Sequence, residues 1–395
     1  MLYKVIRKLV YNLLWVLYPL TYIIPRKKEI WVFGSNFNKY NDNSKYLFEY
    51  VSENLPAIDP IWITGSRNLV NELRNKGLMA EWRYSFKGML SVAQAGAFIY
   101  CHGYTDVNMW LKRGALKLNL WHGVGYKKIG ASIDRGPNRK LYQPRGLLEN
   151  IWVRLHSPQL VDKSFYLLAT SKITKANYSN SFCIPENKII IAGYPRLTPF
   201  FIPSEPPEDW LQFNHILIYA PTFRDHNPGF LNSAIPDAHQ LNEACKSQNA
   251  LFVMKLHPIT PIESTERFND FSNIVVLDNK MDIYPLLKHT SCLITDYSSI
   301  FVDYAVLEKP VIIYAPDLED FLCNSRDFYF GFDELTGGNQ LTSFDSFLAS
   351  IGSYTEHTIP IKNLLAIFWE RDSRNANKEI SSWVKFMLEN QKSIH

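Results

Sequence analysis

The chain has 395 residues, of which 46% are hydrophobic, 14% aromatic and 20% charged, a composition that excludes intrinsic disorder and at this length favours two cores over one. Lys and Arg number 42 against 38 Asp and Glu, a net charge of +4, too small an excess to imply a nucleic-acid partner. Cys101, Cys183, Cys245, Cys292 and Cys323 are scattered without a C-x-x-C pair, which indicates neither a disulfide framework nor a zinc site and reads as reduced core thiols in a reducing compartment.

The first segment, MLYKVIRKLVYNLLWVLYPLTYIIPRKK (residues 1–28), has basic residues at both ends and no acid before Glu29. Its apolar run from Leu9 to Ile24 falls short of the about 20 residues that cross a bilayer, and it has no small-residue cleavage site. Tyr11, Trp15, Tyr18 and Tyr22 recur at helical spacing, so a helix here would carry one aromatic stripe, kinked at Pro19. The segment reads as an interfacial anchor holding the protein peripherally on the cytoplasmic face of the membrane. Packing on the protein's own body is the alternative.

From residue 29 onward, short apolar strands alternate with helical patterns, the mark of parallel sheets flanked by helices. Strands are predicted at EIWVFGS, PIWITG, AFIYCHG, LKLNLWHG, FYLLAT and KIIIAG. Helices are expected at SKYLFEYVSENL and YSFKGMLSVAQAG. FFIPSEPPEDW (200–210), rich in proline and acid, reads as a linker. The pattern then restarts with the strands HILIYAPT, ALFVMKLHP, NIVVLD, CLITD and PVIIYAP, and helices at DAHQLNEACKSQ, DIYPLLKHT and SSIFVDYAVLEK. The tail from about residue 356 is mainly helical. This predicts two doubly wound domains, 29–203 and 204–355, followed by C-terminal helices at 356–395.

Four motifs, WHG, APTFRD, KLHP and TDYSS, stand where a strand gives way to a loop, the edge at which open α/β sheets bind ligands. In WHGVGYKK, His122 is suited to accept a proton near neutral pH. Gly123 beside it permits close approach of a substrate, and Lys127 and Lys128 would favour an anionic acceptor. In GYPR, Gly193 makes a turn and Arg196 offers either a phosphate contact or a salt bridge. Arg224 past the next strand carries the same two readings, with Asp225 or another nearby acid as a salt-bridge partner. Lys255 and His257, at strand period two, would point together to one side. Ser298 or Ser299 is placed to cap a helix or to donate to a diphosphate, and Asp296 and Asp303 lie two helical turns apart. No carboxylate or His/Cys spacing suggests a metal, and no Walker or G-x-G-x-x-G loop is present.

With these pieces in order, the chain resembles the CDP-glycerol glycerophosphotransferase family of teichoic acid primases and polymerases. The resemblance rests on IWVFGS with DNSKYLFEYV, LWHGVGYKKIG, AGYPR, YAPTFRD, KLHP, ITDYSSIFVDYAVLEKPVIIYAPDLEDF and SRDFYFGFDEL, spread from about residue 30 to residue 350. The chain departs from the family's usual residues at Val124-Gly125, Leu197-Thr198 and Gly337-Gly338-Asn339. The resemblance implies an α/β, GT-B-like fold: two Rossmann-like domains facing across a cleft, with C-terminal helices crossing back onto the first. It implies transfer of glycerol phosphate, or a related alditol phosphate, from a CDP-linked donor to a lipid-linked or polymer acceptor, without cofactor or metal. His122 would be the general base. His257, Arg224, Ser298 and Ser299 would be pyrophosphate ligands, Arg326 a further phosphate contact, and Asp296 and Asp303 structural or nucleotide contacts. A nucleotide-sugar glycosyltransferase of the same fold is the rival enzyme reading, and a non-catalytic membrane scaffold the rival of another class.

Overall fold

The computed structural model describes residues 14–133, 139–157, 160–224, 227, 229–256, 260, 265–319, 321 and 328–390. The chain divides into two compact units, Met1–Gly123 with Gly136–Thr198 and Arg371–His395, and Val124–Arg135 with Pro199–Glu370.

The first unit is built on seven strands: β1 (Lys27–Phe33), β2 (Asp59–Thr64), β3 (Ala80–Trp82), β4 (Ala95–Tyr100), β5 (Leu116–Asn119), β6 (Tyr166–Ala169) and β7 (Ile189–Ile191). They lie in the order β3-β2-β1-β4-β5-β6-β7, every pair parallel. The second unit has six: β8 (His215–Tyr219), β9 (Ala250–Met254), β10 (Ile274–Val276), β11 (Cys292–Thr295), β12 (Val311–Tyr314) and β13 (Gln340–Leu341). Their order is β10-β9-β8-β11-β12-β13, again all parallel. Every residue of β4, β9, β11 and β12 is buried, which is why these strands read as unbroken apolar runs rather than alternating ones. Both sheets reverse strand order beside their first strand, between β1 and β4 and between β8 and β11, the position of the ligand crevice in doubly wound folds.

Register aligns the ends that matter. Tyr100 of β4 pairs with Asn119 of β5, so the two loops that follow emerge side by side. In the second sheet Tyr219 of β8 pairs with Ile294 of β11, which sets Thr222 beside Asp296. The two strands without a sequence signal, β3 and β13, are sheet edges of three and two residues, too short for a period to show.

The unit boundaries differ from those expected. The crossing expected after residue 203 falls at Thr198/Pro199. Residues 356–370 belong to the second unit, where Leu364 and Phe368 are buried and the Trp369 indole donates to the Val302 carbonyl at 2.9 Å. From Arg371 the chain belongs to the first unit, where helix Ala376–Asn390 packs on helix Asp42–Asn54, β4 and β5. Val124–Arg135 joins the second unit because Tyr126 is buried there, its hydroxyl donating to the Tyr297 carbonyl and its ring stacking on Phe328 at 5.5 Å.

The N-terminal segment is also used by the fold. Leu14–Tyr22 forms a 3-10 helix containing Pro19, and β1 begins at Lys27. Leu17 and Ile24 pack on the first unit's core. Arg26, expected to flank a lipid-facing run, instead donates to the carbonyls of Val92, Ala95, Leu111 and Arg113 at 2.7–3.1 Å. Among the described residues no helix is long and apolar enough to cross a membrane.

Candidate active site

His122 stands three residues beyond the end of β5, and each part of its turn is held. Trp121 before it adopts φ +56°, a left-handed conformation that costs a bulky residue about 1–2 kcal/mol. The Asn43 side chain fixes that turn by donating from Nδ2 to the Trp121 carbonyl at 2.9 Å. The Gly123 carbonyl accepts from the hydroxyls of Tyr178 and Tyr194, the second at 2.5 Å. His122 Nδ1 lies 3.2 Å from the Cys101 carbonyl oxygen. A carbonyl can only accept, so Nδ1 carries the hydrogen and Nε2 the lone pair. That tautomer suits a general base, whose proton-accepting atom must face away from its anchor.

The same edge holds residues that sequence reasoning missed. His102, two residues beyond β4, stacks on His122 with centroids 3.7 Å apart and planes 11° from parallel. Burial pushes its imidazole down to about 4, and His122 adds to the shift. Asp106, buried at 5% exposure, has one carboxylate oxygen 3.9 Å from His102 Nδ1, and burial raises its carboxyl above the ordinary range. Asp42, at the start of helix Asp42–Asn54, accepts from Arg196 at 2.8 Å. Burial works against its charge, but Arg196 and then His122 outweigh that and hold the carboxyl below its ordinary value. The signal for His102 was a CHG after β4 matching the WHG after β5. Asp42 resembled an ordinary helix-start acid and gave none.

In the second unit the strand ends carry a different arrangement. Asp296, fully buried at the end of β11, accepts from the Thr222 backbone N–H at 2.9 and 3.0 Å and from Arg224 Nη2 at 2.8 Å. Arg224 also meets Asp317 with its fork, Nε to Oδ2 at 2.7 Å and Nη2 to Oδ1 at 2.9 Å, and donates from Nη1 to the Thr222 carbonyl at 2.6 Å. Its guanidinium lies 4.2 Å from the Phe230 ring centroid and 4.9 Å from that of Tyr297. Burial opposes its charge, yet the two carboxylates raise its pKa above the ordinary value. Of the two sequence readings for Arg224, the salt bridge is present, with Asp317 and Asp296 as its partners. A shallow recess beside this cluster is lined by Pro221, Thr222, Phe223, Arg224, Phe230 and Leu256.

The remaining expected positions fall as follows. Ser299 is the residue before helix Ile300–Tyr304, but its side chain makes no capping bond. Ser298 and Ser299 are both half-buried. Asp296 and Asp303 do not share a helix face, because the helix starts only at Ile300; Asp303 is buried and accepts from the Tyr284 hydroxyl at 2.6 Å. Lys255 lies beyond β9, which stops at Met254, so strand alternation does not set its direction; its ammonium donates to the Asn279 carbonyl at 2.8 Å. Lys127 and Lys128 belong to the second unit, where Lys127 lies 5.5 Å from the Tyr126 ring centroid and bridges to the Phe328 backbone. Arg196, 2% exposed, is committed to Asp42. Gly193 abuts Ser373, whose Cα would lie 2.5 Å from any Cβ added there, so its lack of a side chain admits the C-terminal segment. His257 and Arg326 lie outside the described residues.

The family described as CDP-Glycerol:Poly(glycerophosphate) glycerophosphotransferase matches residues 16–384. The chain belongs to this family. Among similar glycerophosphotransferases, the teichoic acid poly(glycerol phosphate) polymerase of Bacillus spizizenii W23 is 25% identical over 87% of this chain and 88% of its own length. The teichoic acid glycerol-phosphate transferase of Staphylococcus aureus NCTC 8325 is 26% identical over 85% and 87%. A solved structure of the wall teichoic acid polymerase TagF covers 99% of this chain and 98% of its own, with TM-score 0.77 at 19% identity. That likeness shows the GT-B-like fold of the glycerophosphotransferases in this chain, as its two Rossmann-ordered sheets do.

Proposed function

We propose that this glycerophosphotransferase moves glycerol phosphate from CDP-glycerol to a hydroxyl of a teichoic-acid-like polymer, with His122 as the general base. Family membership over residues 16–384 carries the transfer. The Nδ1 contact to the Cys101 carbonyl, which leaves the lone pair on Nε2, supports the base. The acceptor hydroxyl gives its proton to Nε2 as its oxygen bonds to the distal phosphorus of the donor. The bond from that phosphorus to the bridging oxygen breaks, and CMP leaves with the electron pair. A phosphoryl centre offers little covalent chemistry to a protein, so positioning and charge neutralisation do most of the work.

The hydroxyls of Ser298 and Ser299, half-buried and unused as caps, serve as neutral donors to the diphosphate, and neutralisation falls to protein cations rather than to a metal. Arg224 acts through Asp296 and Thr222 by fixing the strand-end loops. Two apolar surfaces of the first unit favour a membrane-bound acceptor. Val16, Tyr22 and Ile23 are 63–77% exposed. Helix Gly146–His156 shows Leu147, Leu148, Ile151 and Trp152 on one face, with Lys140 and Arg145 exposed beside it. That pairing of apolar and basic groups suits an anionic bilayer surface.

The test is turnover of CDP-glycerol with a lipid-linked acceptor, reading CMP release and phosphorus in polymer, with and without chelator. His122→Ala should lose about 10²- to 10⁴-fold in turnover while binding CDP-glycerol normally, and chelator should change nothing. Wild-type turnover in the variant removes His122 from the chemistry. UDP release with sugar transfer replaces the reaction with that of a glycosyltransferase.

A further inference from the structure

Four observations converge on the residue pair that opens helix Asp42–Asn54. Asp42 adopts φ +63°, so the helix opens on a residue in the left-handed region, next to a turn whose Trp121 does the same. Such conformations persist where surrounding contacts over-determine them, and they gather at functional sites. Asn43 bridges two loops, donating to the Trp121 carbonyl at 2.9 Å and accepting at Oδ1 from the Arg196 N–H at 3.0 Å. Both hydrogen bonds to the Asp42 carboxylate, from the Asn43 N–H and Arg196 Nη1, each at 2.8 Å, fall on Oδ1. Its Oδ2 therefore has no hydrogen-bond donor among the described residues, although the side chain is only 18% exposed.

We infer that Asp42 is a positioning residue for the His122 base, its carboxylate stabilising the imidazolium that forms when the acceptor proton arrives, with Arg196 fixing its orientation. The inference rests on His122 being the base. Base catalysis creates a positive charge in a half-buried site, and a nearby anion lowers the cost of that charge. His102 cannot supply the anion: it is a second imidazole, stacked on the first and kept neutral by burial. Asp106 faces His102, and Cys101 presents a carbonyl to His122 while its thiol, raised by burial, pairs with Ser44. Arg196 alone would oppose protonation of His122. Among these charged groups of the described residues, Asp42 is the anion that favours it, and the fields of Arg196 and then His122 already draw the Asp42 carboxyl down.

The variant is Asp42→Asn, which keeps an Oδ1 acceptor for Asn43 and Arg196 and removes only the charge. The pKa of His122 is followed by imidazole NMR, and the pH profile of kcat/KM is recorded beside it, with CDP-glycerol binding as the check on folding. Loss of the anion should lower the His122 pKa by about 1 unit or more, move the acid limb of the profile to lower pH by the same amount, and weaken the base at its plateau. A pKa and limb that stay in place while binding is normal overturn the role of Asp42. His122→Ala in the same assay separates the two ideas: retained turnover there overturns the base itself, whereas lost turnover with an unmoved Asp42→Asn limb overturns only Asp42.

Discussion

Arg224 was one sequence candidate for a phosphate ligand in the second unit, and its structural environment makes a different quantity measurable. Its guanidinium is 7% exposed and is shared between Asp296, which is fully buried, and Asp317, whose side chain is 20% exposed. Arg224→Ala would strip both carboxylates of their cation and leave the Thr222 carbonyl without its donor. Removing one partner of a buried ion pair costs about 3–5 kcal/mol, because the remaining charge is stranded in low dielectric. For a unit of this size each kcal/mol moves the unfolding temperature by about 2–4 °C, so a fall of about 10 °C is expected. Arg224→Lys should lie between, since one ammonium cannot meet two carboxylates with a planar fork. Thermal unfolding followed by circular dichroism, with turnover measured well below the transition, reads both effects. An unchanged unfolding temperature in Arg224→Ala, with turnover lost, would mean that the side chain serves the donor's phosphates directly and that the ion pairs contribute little.

Two further outcomes follow from the first unit. The folded pKa of His102 is depressed to about 4 from about 6.5 in an unfolded chain, so its contribution is fully present above pH 6.5 or so and is lost as pH falls toward 4. His102→Phe keeps a ring against His122 and removes the proton site; chemical denaturation across that window should show a flatter stability profile than wild type. The raised pKa of Asp106 acts in the opposite sense, so the difference between the two proteins is the quantity to read, and identical profiles would show that His102 is not buried neutral. On the surface proposed to meet the membrane, Leu148 is 82% exposed, and Leu148→Glu should weaken co-sedimentation with vesicles rich in anionic lipid without changing the unfolding temperature. Undiminished co-sedimentation would remove helix Gly146–His156 from the docking surface.

The sequence carried the parts that repeat and hid the parts that pair. Buried parallel strands must be apolar throughout, so β4, β9, β11 and β12 were visible as uninterrupted runs, and their order of alternation with helices gave the fold class. The strand-end position of His122 was visible for the same reason. What remained hidden is which neighbour answers each strand-end residue, because that depends on strand order rather than on sequence distance. Arg224 had Asp225 beside it as an apparent partner, yet its fork closes on Asp317, 93 residues further on, because β12 ends beyond β11 in the sheet. Arg196 finds Asp42 at a separation of 154 residues.

His102 illustrates the point most fully. CHG and WHG lie about twenty residues apart in the chain, and read singly each looks like an isolated histidine at a sheet edge. Once β4 and β5 pair with Tyr100 level with Asn119, the two loops must leave the sheet together, and their imidazoles meet at 3.7 Å. In that stacked pair burial pushes the His102 imidazole down to about 4, while His122 Nδ1 is held against the Cys101 carbonyl. The strand order therefore does more than bring a histidine to the edge: it brings two there as a stacked pair, which neither motif shows when read alone. Had β5 paired one residue out of register, every side chain on it would have turned to the opposite face, and neither the stack nor the Cys101 carbonyl contact that sets the His122 tautomer would form.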